Sequence, residues 1–184
     1  MTEPRPATMA ALVRPSRDAD IEAIAAIYAH HVSHGVASFE LEPPSVEEMR
    51  RRRGDLVARG YPHLVAVRDE SVLGYAYAGP YRPRAAYGDT VENSVYLRPD
   101  AIGRGVGRML LKALIGDCEA RGFRQMIAVV GDSGNSASIG LHERAGFRRV
   151  GVLRSVGYKH GRWLDSVLLQ RALGAGDGSP PQPR

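Results

Sequence analysis

The stretch that decides the fold runs from Val95 to Leu111 and reads VYLRPDAIGRGVGRMLL. It begins at the end of a β-prone run, passes through a loop with three glycines, and enters an amphipathic helix that we expect over 105–121. Glycines let the main chain approach a ligand closely, and the free N–H groups at a helix start attract an anion. The stretch therefore predicts a strand–loop–helix unit that binds a diphosphate.

Three kinds of phosphate loop can be compared with this stretch. A Walker loop needs Gly-Lys-[Ser/Thr], which is absent, and a dinucleotide loop needs a third glycine where Arg108 stands. The coenzyme A loop of GNAT acetyltransferases, [QR]-x-x-G-x-[GA], is similar at Gly105 and Gly107, although Ile102 replaces the usual Gln or Arg. A glycine-rich turn without a ligand stays open as the alternative at this point.

Strand and helix signals alternate on both sides of the loop. We predict strands at 11–14, 64–68, 72–81, 90–97, 126–130, 147–153 and 163–169, and helices at 18–35, 45–58, 105–121 and 136–145. The first half of the chain predicts antiparallel neighbouring strands, and the second half predicts a strand–helix–strand–helix unit. Together they indicate an α/β fold, with a mixed, mostly antiparallel sheet and helices on both faces. We expect one domain over 11–173, with disordered tails at 1–10 and 174–184.

Composition narrows the class of protein further. The chain has 184 residues, 43% hydrophobic and 24% charged, which is typical of one globular domain. Cys118 is the only cysteine, so no intrachain disulfide can form and a reducing, cytoplasmic location is expected. No apolar run is long enough for a membrane span, and no signal peptide is evident.

The net charge of +5 favours anionic partners in general. The basic run Arg50–Arg53 nevertheless fits a solvated helix face, and no nucleic-acid-binding motif is present, so we expect no nucleic-acid partner and no membrane partner. His30, His31 and His34 lack the His-Glu-x-x-His pattern, so we expect no metal.

A second motif lies after the next predicted strand. Residues 135–147 read NSASIGLHERAGF and resemble the GNAT pattern N-x-x-[AS]-x-x-[LF]-[YH]-x-x-x-G-F. Segments 37–44, 74–87, 91–96 and 157–165 are similar to the phosphinothricin and methionine sulfoximine N-acetyltransferases, within a resemblance that runs from about 12 to 173. The chain is therefore identified as a member of the GNAT superfamily that resembles this particular family.

The resemblance implies a fold, a reaction and partners. The fold is that of the acyl-CoA N-acyltransferases, in which the strand at 90–97 splays from the one at 126–130. The implied reaction moves an acetyl group from acetyl-CoA to the amino group of a small amino acid analogue, by direct attack in a ternary complex. Phosphinothricin, methionine sulfoximine and methionine sulfone are the implied acceptors, with herbicide resistance as a consequence, and a homodimer is expected.

Two residues are expected to move protons. Glu92 matches the family's catalytic glutamate, and a carboxylate at the edge of a partly dry cleft can have its pKa raised to suit a general base; an ion-paired carboxylate at a strand end is the alternative. His142 lies where many GNAT enzymes carry the tyrosine that protonates the coenzyme A thiolate; a purely buried packing role is equally open.

The remaining site residues are expected to hold the two substrates. The resemblance, together with the anion-binding geometry of the loop, gives these cofactor residues: Val95, Tyr96, Leu97, Gly103, Arg104, Gly105, Val106, Gly107, Arg108, Asn135 and Ser138. The expected acceptor residues are Phe39, Glu42, Arg82, Arg84, Glu92, Asn93 and Ser94. For the arginines the reason is that guanidinium groups pair well with carboxylate and phosphinate oxygens.

Two other functions remain open from the sequence. One is a peptide N-terminal acetyltransferase on the same scaffold, although Arg82 and Arg84 suit an acceptor that carries a free carboxylate beside its amine. The other is a catalytically silent module that binds coenzyme A or nucleic acid.

Overall fold

The computed structural model describes residues 10–181. The expected N-terminal tail, apart from Ala10, and the last three residues lie outside this range. In chain order the elements are β1 (Leu12–Pro15), α1 (Ile21–His34), α2 (Val46–Ala58), β2 (His63–Arg68), β3 (Ser71–Pro80), β4 (Thr90–Leu97), α3 (Val106–Ala120), β5 (Gln125–Gly131), α4 (Ser136–Arg144), β6 (Arg148–Lys159) and β7 (Arg162–Ala172).

Each of these strands and helices was predicted, and the largest difference is the length of β6. The sequence indicated a strand ending near residue 153, whereas β6 continues to Lys159. Its register against β7 shifts between Leu153 and Gly157, and Ser155 in this interval has a φ of 53°. The main-chain N–H of Ser155 donates to Asp165, 2.9 Å away, so the irregularity is stabilised and pairing resumes beyond it.

The seven strands form one sheet in the order β1-β2-β3-β4-β5-β7-β6. All neighbouring pairs are antiparallel except β4 and β5, which are parallel. The predicted fold class, a mixed and mostly antiparallel sheet with helices, is therefore confirmed.

The parallel pair β4–β5 separates part of the way along its length. Pairing runs from Thr90 opposite Gln125 to Asn93 opposite Ala128 and goes no further. Residues 94–97 of β4 remain paired with β3, and β5 remains paired with β7 as far as Gly131. The two strands thus splay beyond Asn93, as the family resemblance implies. A V-shaped gap opens between them, with Asn93 at its vertex.

The sheet has a packed core on each face. Leu110, Leu111 and Leu114 of α3 are fully buried against one face, together with Cys118, which occupies the position of a small buried hydrophobe. On the opposite face, α1 and α2 cover a second cluster that includes the fully buried Tyr75. The predicted arrangement of helices on both faces is therefore confirmed.

The segment after β7 forms a series of turns. Arg124 donates from Nε to the carbonyl oxygen of Gly176 at 2.8 Å and from Nη2 to that of Ser179 at 2.8 Å. The proposed limits of the domain and its tails stay a prediction, although these bonds tie residues 174–179 to the start of β5. None of the helices in residues 10–181 is long and apolar enough to cross a membrane.

Gly74 of β3 offers a direct test of how closely β3 and β4 approach. A Cβ atom at Gly74 would lie 2.6 Å from Leu97 Cδ2 and 2.7 Å from the Tyr96 carbonyl oxygen. We expect Gly74→Ala to lower the free energy of unfolding by about 1–3 kcal/mol, because backbone must move. The matched control is Gly116→Ala in α3, where nothing lies within 4 Å of the added atom. That change should raise stability by up to about 1 kcal/mol through helix propensity. Urea unfolding that gave both variants the same sign would contradict this packing.

Candidate active site

Strand β4 carries functional side chains on both faces of the sheet. Side chains alternate along a strand, and Tyr96 belongs to the core beneath α1 and α2, whereas Val95 and Leu97 pack against the core of α3. Glu92 and Ser94 therefore share the α1/α2 face with Tyr96. Asn93 lies on the α3/α4 face.

Glu92 is a partly buried carboxylate near the start of the gap. It pairs across the strands with Gly79, which has no side chain to fill the space beside it. Burial raises the pKa of Glu92, and the positive charge of Arg82 opposes this rise in part. A carboxylate with a raised pKa in a half-dry position is suited to accept a proton near neutral pH.

The two arginines expected to bind an acceptor differ in their surroundings. Both are exposed in the loop after β3. Arg82 stacks its guanidinium on the ring of Tyr81, 5.0 Å from the centroid, and lies near enough to Glu92 to affect its pKa. Arg84 precedes the short helical turn Ala85–Tyr87. The structure thus brings Arg82 close to Glu92, whereas Arg84 accepts through its carbonyl oxygen from the main-chain N–H of Tyr87 at 3.0 Å.

Beneath α1 and α2 the face that holds Glu92 is lined by tyrosines. The ring of Tyr96 packs edge-on against Tyr28 and is stacked with Tyr75. Burial raises the pKa of the Tyr77 hydroxyl, and a hydrogen bond with Ser94 opposes this rise in part. Ser94 therefore has a partner on the same face as Glu92. The composition of this layer was not recognised in the sequence, since its members come from three separate elements.

The acidic residue that turns inward from the first loop is Glu40, not Glu42. Glu42 is exposed, and its contact with the acceptor amine stays a prediction. Glu40 accepts from the Tyr28 hydroxyl at 2.9 Å and from Arg52 at 2.7 Å. The alternation Phe39-Glu40-Leu41-Glu42 gives no indication of which carboxylate faces the protein, because the loop is irregular.

The loop that carries Phe39 is docked on the end of β5 and on the β6–β7 hairpin. A Cβ atom at Gly157 would overlap the Phe39 ring, and a Cβ atom at Gly131 would lie 3.0 Å from Cε1 of the same ring. The buried Lys159 ammonium donates to the Ser38 carbonyl oxygen at 2.8 Å. Phe39 remains 38% exposed, so it can still present part of its ring to a ligand.

Main-chain groups of β4 line the gap in an alternating pattern. The N–H of Arg98 donates to Leu73 of β3 at 2.9 Å, so the main chain of Tyr96, two residues earlier, also faces β3. The polar groups of Val95 and Leu97 then point away from β3, toward the gap. Tyr96 is thus unsuited to bind a ligand there through its main chain, contrary to expectation, because its groups belong to the β3–β4 ladder.

One of the groups that face the gap already has a partner. His31 of α1 donates from Nε2 to the Leu97 carbonyl oxygen, 2.7 Å away. Burial lowers the pKa of His31, and the Leu97 carbonyl opposes this effect. The sequence grouped His31 with His30 and His34 as a metal pattern to be discarded, and the long-range contact could not be read from that pattern. Within residues 10–181 no group of three or more His, Cys, Asp or Glu side chains is arranged to hold a metal.

The glycine loop has the backbone that its composition predicts. Gly103 and Gly105 have φ values of 76° and 79°, in the left-handed region that favours glycine, and Gly105 directly precedes α3. Arg104 and Arg108 are exposed beside it. Gly107 instead packs tightly: a Cβ atom there would lie 3.4 Å from side-chain atoms of Leu97 and Leu141. Val106 is buried, so any contact with an anion would come from its main chain.

Helix α4 begins beside the open end of the gap. Asn135 caps it, since its Oδ1 accepts from the main-chain N–H of Ser138 at 3.2 Å. His142, one turn after Ser138, is buried, with 4% of its surface exposed. Its ring packs edge-on against Phe147. Its Nδ1 lies 2.8 Å from the Ser138 carbonyl oxygen and its Nε2 lies 3.0 Å from Asn93 Oδ1.

Asn93 does not join the acceptor residues with which it was grouped. Its side chain is buried on the α3/α4 face, and its Nδ2 donates to the Ile127 carbonyl oxygen at 3.0 Å. Because neighbouring residues of a strand point to opposite faces, Asn93 cannot share a pocket with Glu92 and Ser94. It contacts His142 instead.

Comparison with known proteins assigns the chain to a family. The profile of the acetyltransferase (GNAT) family matches residues 24–147. A phosphinothricin N-acetyltransferase from Alcaligenes faecalis is 58% identical over 96% of this chain and 89% of its own. An L-methionine sulfoximine/L-methionine sulfone acetyltransferase from Pseudomonas aeruginosa is 42% identical over 90% of this chain and 96% of its own. The crystal structure of a phosphinothricin acetyltransferase from Sinorhizobium meliloti in complex with AcCoA superposes with a TM-score of 0.91, at 45% identity, covering 95% of this chain and 94% of that one.

A strand pair that splays at its midpoint, with a glycine loop leading into the helix beside it, defines an acyltransferase of the coenzyme A-dependent type. Fold, motifs and relatives agree on this class. The chain belongs to the acetyltransferase (GNAT) family and is an acetyl-CoA-dependent N-acetyltransferase.

Proposed function

We propose that this enzyme acetylates the amino group of phosphinothricin, methionine sulfoximine or methionine sulfone, or of a closely similar amino acid analogue. The observation that carries the proposal is the 58% identity, over 96% of the chain, to a phosphinothricin N-acetyltransferase. The proximity of Arg82 to Glu92 supports it, since a free carboxylate or phosphinate close to the reacting amine would find a cation there. Acetylation of phosphinothricin would make the enzyme a herbicide-resistance determinant.

In the proposed reaction Glu92 is the general base. It removes a proton from the acceptor ammonium, directly or through a water molecule, and the neutral amine then attacks the thioester carbonyl carbon. The C–N bond forms, the attacking nitrogen releases its second proton to solvent, the C–S bond breaks, and the electron pair leaves with sulfur. His142 on the other face of β4 returns a proton to the thiolate. The transfer to Glu92 and the transfer from His142 therefore occur on opposite sides of one strand.

The cofactor would lie along the gap. Main-chain groups of Val95 and Leu97 would replace the lost pairing with β5 by bonds to the pantetheine arm and to the acetyl carbonyl oxygen. Main-chain N–H groups of residues 103–108 would bind the diphosphate at the start of α3, with Arg104 and Arg108 beside it. Asn135 and Ser138 would contact the arm from α4, and the capping bond of Asn135 leaves its amide Nδ2 for this purpose.

The acceptor would lie on the α1/α2 side of β4. Arg82, with Arg84 nearby in sequence, would bind its acidic groups, and Ser94 would contact it beside Glu92. Phe39 would form an apolar wall, held in place because its loop is docked on Gly157 and Lys159. Glu42, exposed in the same loop, would reach the acceptor amine, whereas we assign no acceptor contact to Asn93.

Two other functions are not favoured. A peptide N-terminal acetyltransferase would have no use for a cation beside the base, and the relative that is 58% identical is named for a small-molecule acceptor. A silent coenzyme A-binding module would not need a carboxylate with a raised pKa at the gap.

We also propose a homodimer that forms through the last hairpin. Strand β6 is an edge of the sheet, and it carries a row of exposed apolar side chains that continues onto β7: Val150, Leu153, Val156, Tyr158 and Trp163. A second copy of the chain is the partner that we infer, because exposed apolar side chains on a long edge strand are typical of a self-association surface.

A cytoplasmic location without nucleic-acid or membrane partners completes the proposal. The single cysteine suits a reducing compartment. The run Arg50–Arg53 supports the absence of nucleic acid, because its charges are used within the chain. Arg50 pairs with Asp18, Arg51 with Glu48 and Asp55, and Arg52 with Glu40 and Glu48, while Arg53 donates to Ser16.

A thiol-release assay tests the function. With acetyl-CoA, we expect turnover on phosphinothricin, methionine sulfoximine and methionine sulfone, and none on a peptide that offers only an N-terminal amine. Arg82→Leu should raise the KM for these acceptors by about tenfold or more, with the KM for acetyl-CoA unchanged, because a charge-assisted bond is lost. Absence of turnover on all three analogues would remove the proposed acceptor class.

Replacing the base tests the assignment of Glu92. In Glu92→Gln we expect kcat at neutral pH to fall by about 10²–10⁴-fold, because the amide cannot accept the proton. The loss should shrink as the pH approaches the pKa of the acceptor amine, which then arrives uncharged.

Stability provides the control for this variant. Because burial raises the pKa of Glu92 in the folded chain, the charged carboxylate destabilises the fold at pH values above the ordinary pKa of a glutamate. Glu92→Gln should therefore be at least as stable as the wild type at pH 7, and the difference should vanish below the ordinary carboxyl pKa. A variant that kept wild-type kcat across the pH range would refute the role of Glu92.

Light scattering over a range of concentrations tests the dimer. We expect a mass of about twice 20.0 kDa for the wild type and a monomer for Val156→Arg. Val57→Arg is the control, since Val57 is similarly exposed but lies on α2, away from the hairpin. Dissociation by both substitutions, or by neither, would argue against this surface.

A further inference from the structure

We propose that Asn93 is a positioning residue, whose side-chain oxygen keeps a proton on Nε2 of His142 at the vertex of the gap. This inference rests on the proposed function, in which His142 protonates the departing thiolate. It assigns to Asn93 a task different from the acceptor contact that its place beside Glu92 suggests.

Asn93 lies at the point where β4 and β5 part, and its side chain contacts both β5 and His142. Asn93 is 5% exposed and His142 is 4% exposed, so neither side chain has free access to solvent. Asn93 is also the last residue of β4 that pairs with β5. Its two terminal atoms have separate partners, with Nδ2 3.0 Å from the Ile127 carbonyl oxygen and Oδ1 3.0 Å from His142 Nε2.

The orientation of the Asn93 amide follows from its partner on β5. A carbonyl oxygen can only accept a hydrogen bond, so the amide atom that faces Ile127 must be the NH₂ group. The reversed orientation would place two oxygens in contact with no proton between them. The amide oxygen is therefore left facing the imidazole of His142.

The same reasoning assigns the protons of His142. The Ser138 carbonyl oxygen lies 2.8 Å from Nδ1 and can only accept, so Nδ1 carries a proton. Asn93 Oδ1 also only accepts, so the hydrogen bond at Nε2 needs a second proton. Both ring nitrogens thus face oxygen atoms, and only the doubly protonated ring satisfies both contacts.

Burial acts in the opposite direction. It lowers the pKa of His142, an effect that the Ser138 carbonyl opposes. The ring's hydrogen-bond partners, Asn93 and Ser138, and its aromatic partner, Phe147, do not ionise. Asn93 Oδ1 supplies a second dipole that stabilises the charged ring, so without it the ring would lose its Nε2 proton more readily.

This arrangement suits a proton donor that acts once per turnover. Before the reaction, Nε2–H is held by a neutral amide oxygen at the point where the strands part. When the C–S bond breaks, the thiolate is a stronger acceptor than the amide, and the Nε2 proton moves to sulfur. The neutral ring that remains keeps its proton on Nδ1, where Ser138 already accepts it.

The test variant is Asn93→Leu, which keeps the approximate volume of the side chain but removes its amide oxygen. The control is a second variant in which leucine replaces another side-chain amide on a strand. Gln125→Leu serves as the control, because Gln125 lies at the opposite end of the β4–β5 pairing and its amide oxygen accepts from Gln170. The ¹⁵N signals of the histidine rings are titrated in the wild type and in both variants, without substrates. The His142 signal is identified by its loss in His142→Gln.

In Asn93→Leu we expect the acid dissociation constant of the His142 ring to rise by about tenfold or more, as for the loss of a hydrogen bond to a charged group. We expect kcat to fall and to decline at lower pH than in the wild type, with the KM for acetyl-CoA within about threefold, because the gap itself remains. Asn93→Asp, whose carboxylate can still accept from Nε2, should keep the ring protonated to higher pH. Gln125→Leu should match the wild type in each respect.

Two outcomes would overturn the proposal. One is a His142 ring that titrates identically with and without the Asn93 oxygen, and the other is an Asn93→Leu variant with an unchanged pH profile of kcat. In either case acetyl transfer by the wild type would still stand, so the failure would concern Asn93 alone. If the wild type itself did not transfer acetyl groups, the proposed function would fail, whereas the ring titration would still report on the contact with Asn93.

Discussion

The rule that main-chain polar groups need hydrogen-bond partners governs this structure at the point where β4 leaves β5. Pairing ends at Asn93 opposite Ala128, and each strand is held on its outer side by a different neighbour. The inner edges must find other partners, because unpaired buried groups are costly. His31 satisfies the Leu97 carbonyl. The remaining groups are those that a linear ligand with amide bonds can use.

The two-residue repeat of a strand explains how one element serves two chemical tasks. Glu92 and Asn93 are adjacent in the chain yet lie on opposite faces of the sheet. The first has a pKa raised by burial near Arg82, and the second contacts His142 at the vertex of the gap. The proposed base and the proposed acid are thereby separated by the thickness of one strand, which also brings both near a thioester inserted between the strands.

Electrostatic and packing contacts from distant parts of the chain hold the acceptor side together. Glu40 connects Tyr28 of α1 to Arg52 of α2, which draws one of the four consecutive arginines into the fold. Lys159 ties the last hairpin to Ser38, and Phe39 occupies the space that Gly157 leaves open. The basic run Arg50–Arg53 is thus engaged in contacts within the chain, and net charge alone is a poor guide to partners.

The order of the elements, the glycine loop before α3 and the family could all be predicted from the sequence, because they depend on neighbours within a few residues or on motif spacing. The assembled fold was needed to show that Asn93 faces His142, that Glu40 rather than Glu42 turns inward, and that His31 and Lys159 bind main-chain carbonyls. These contacts join residues that are up to 121 positions apart or that lie in irregular loops. Local preferences carry no information about such pairs, because the geometry arises only when the sheet and its helices are assembled.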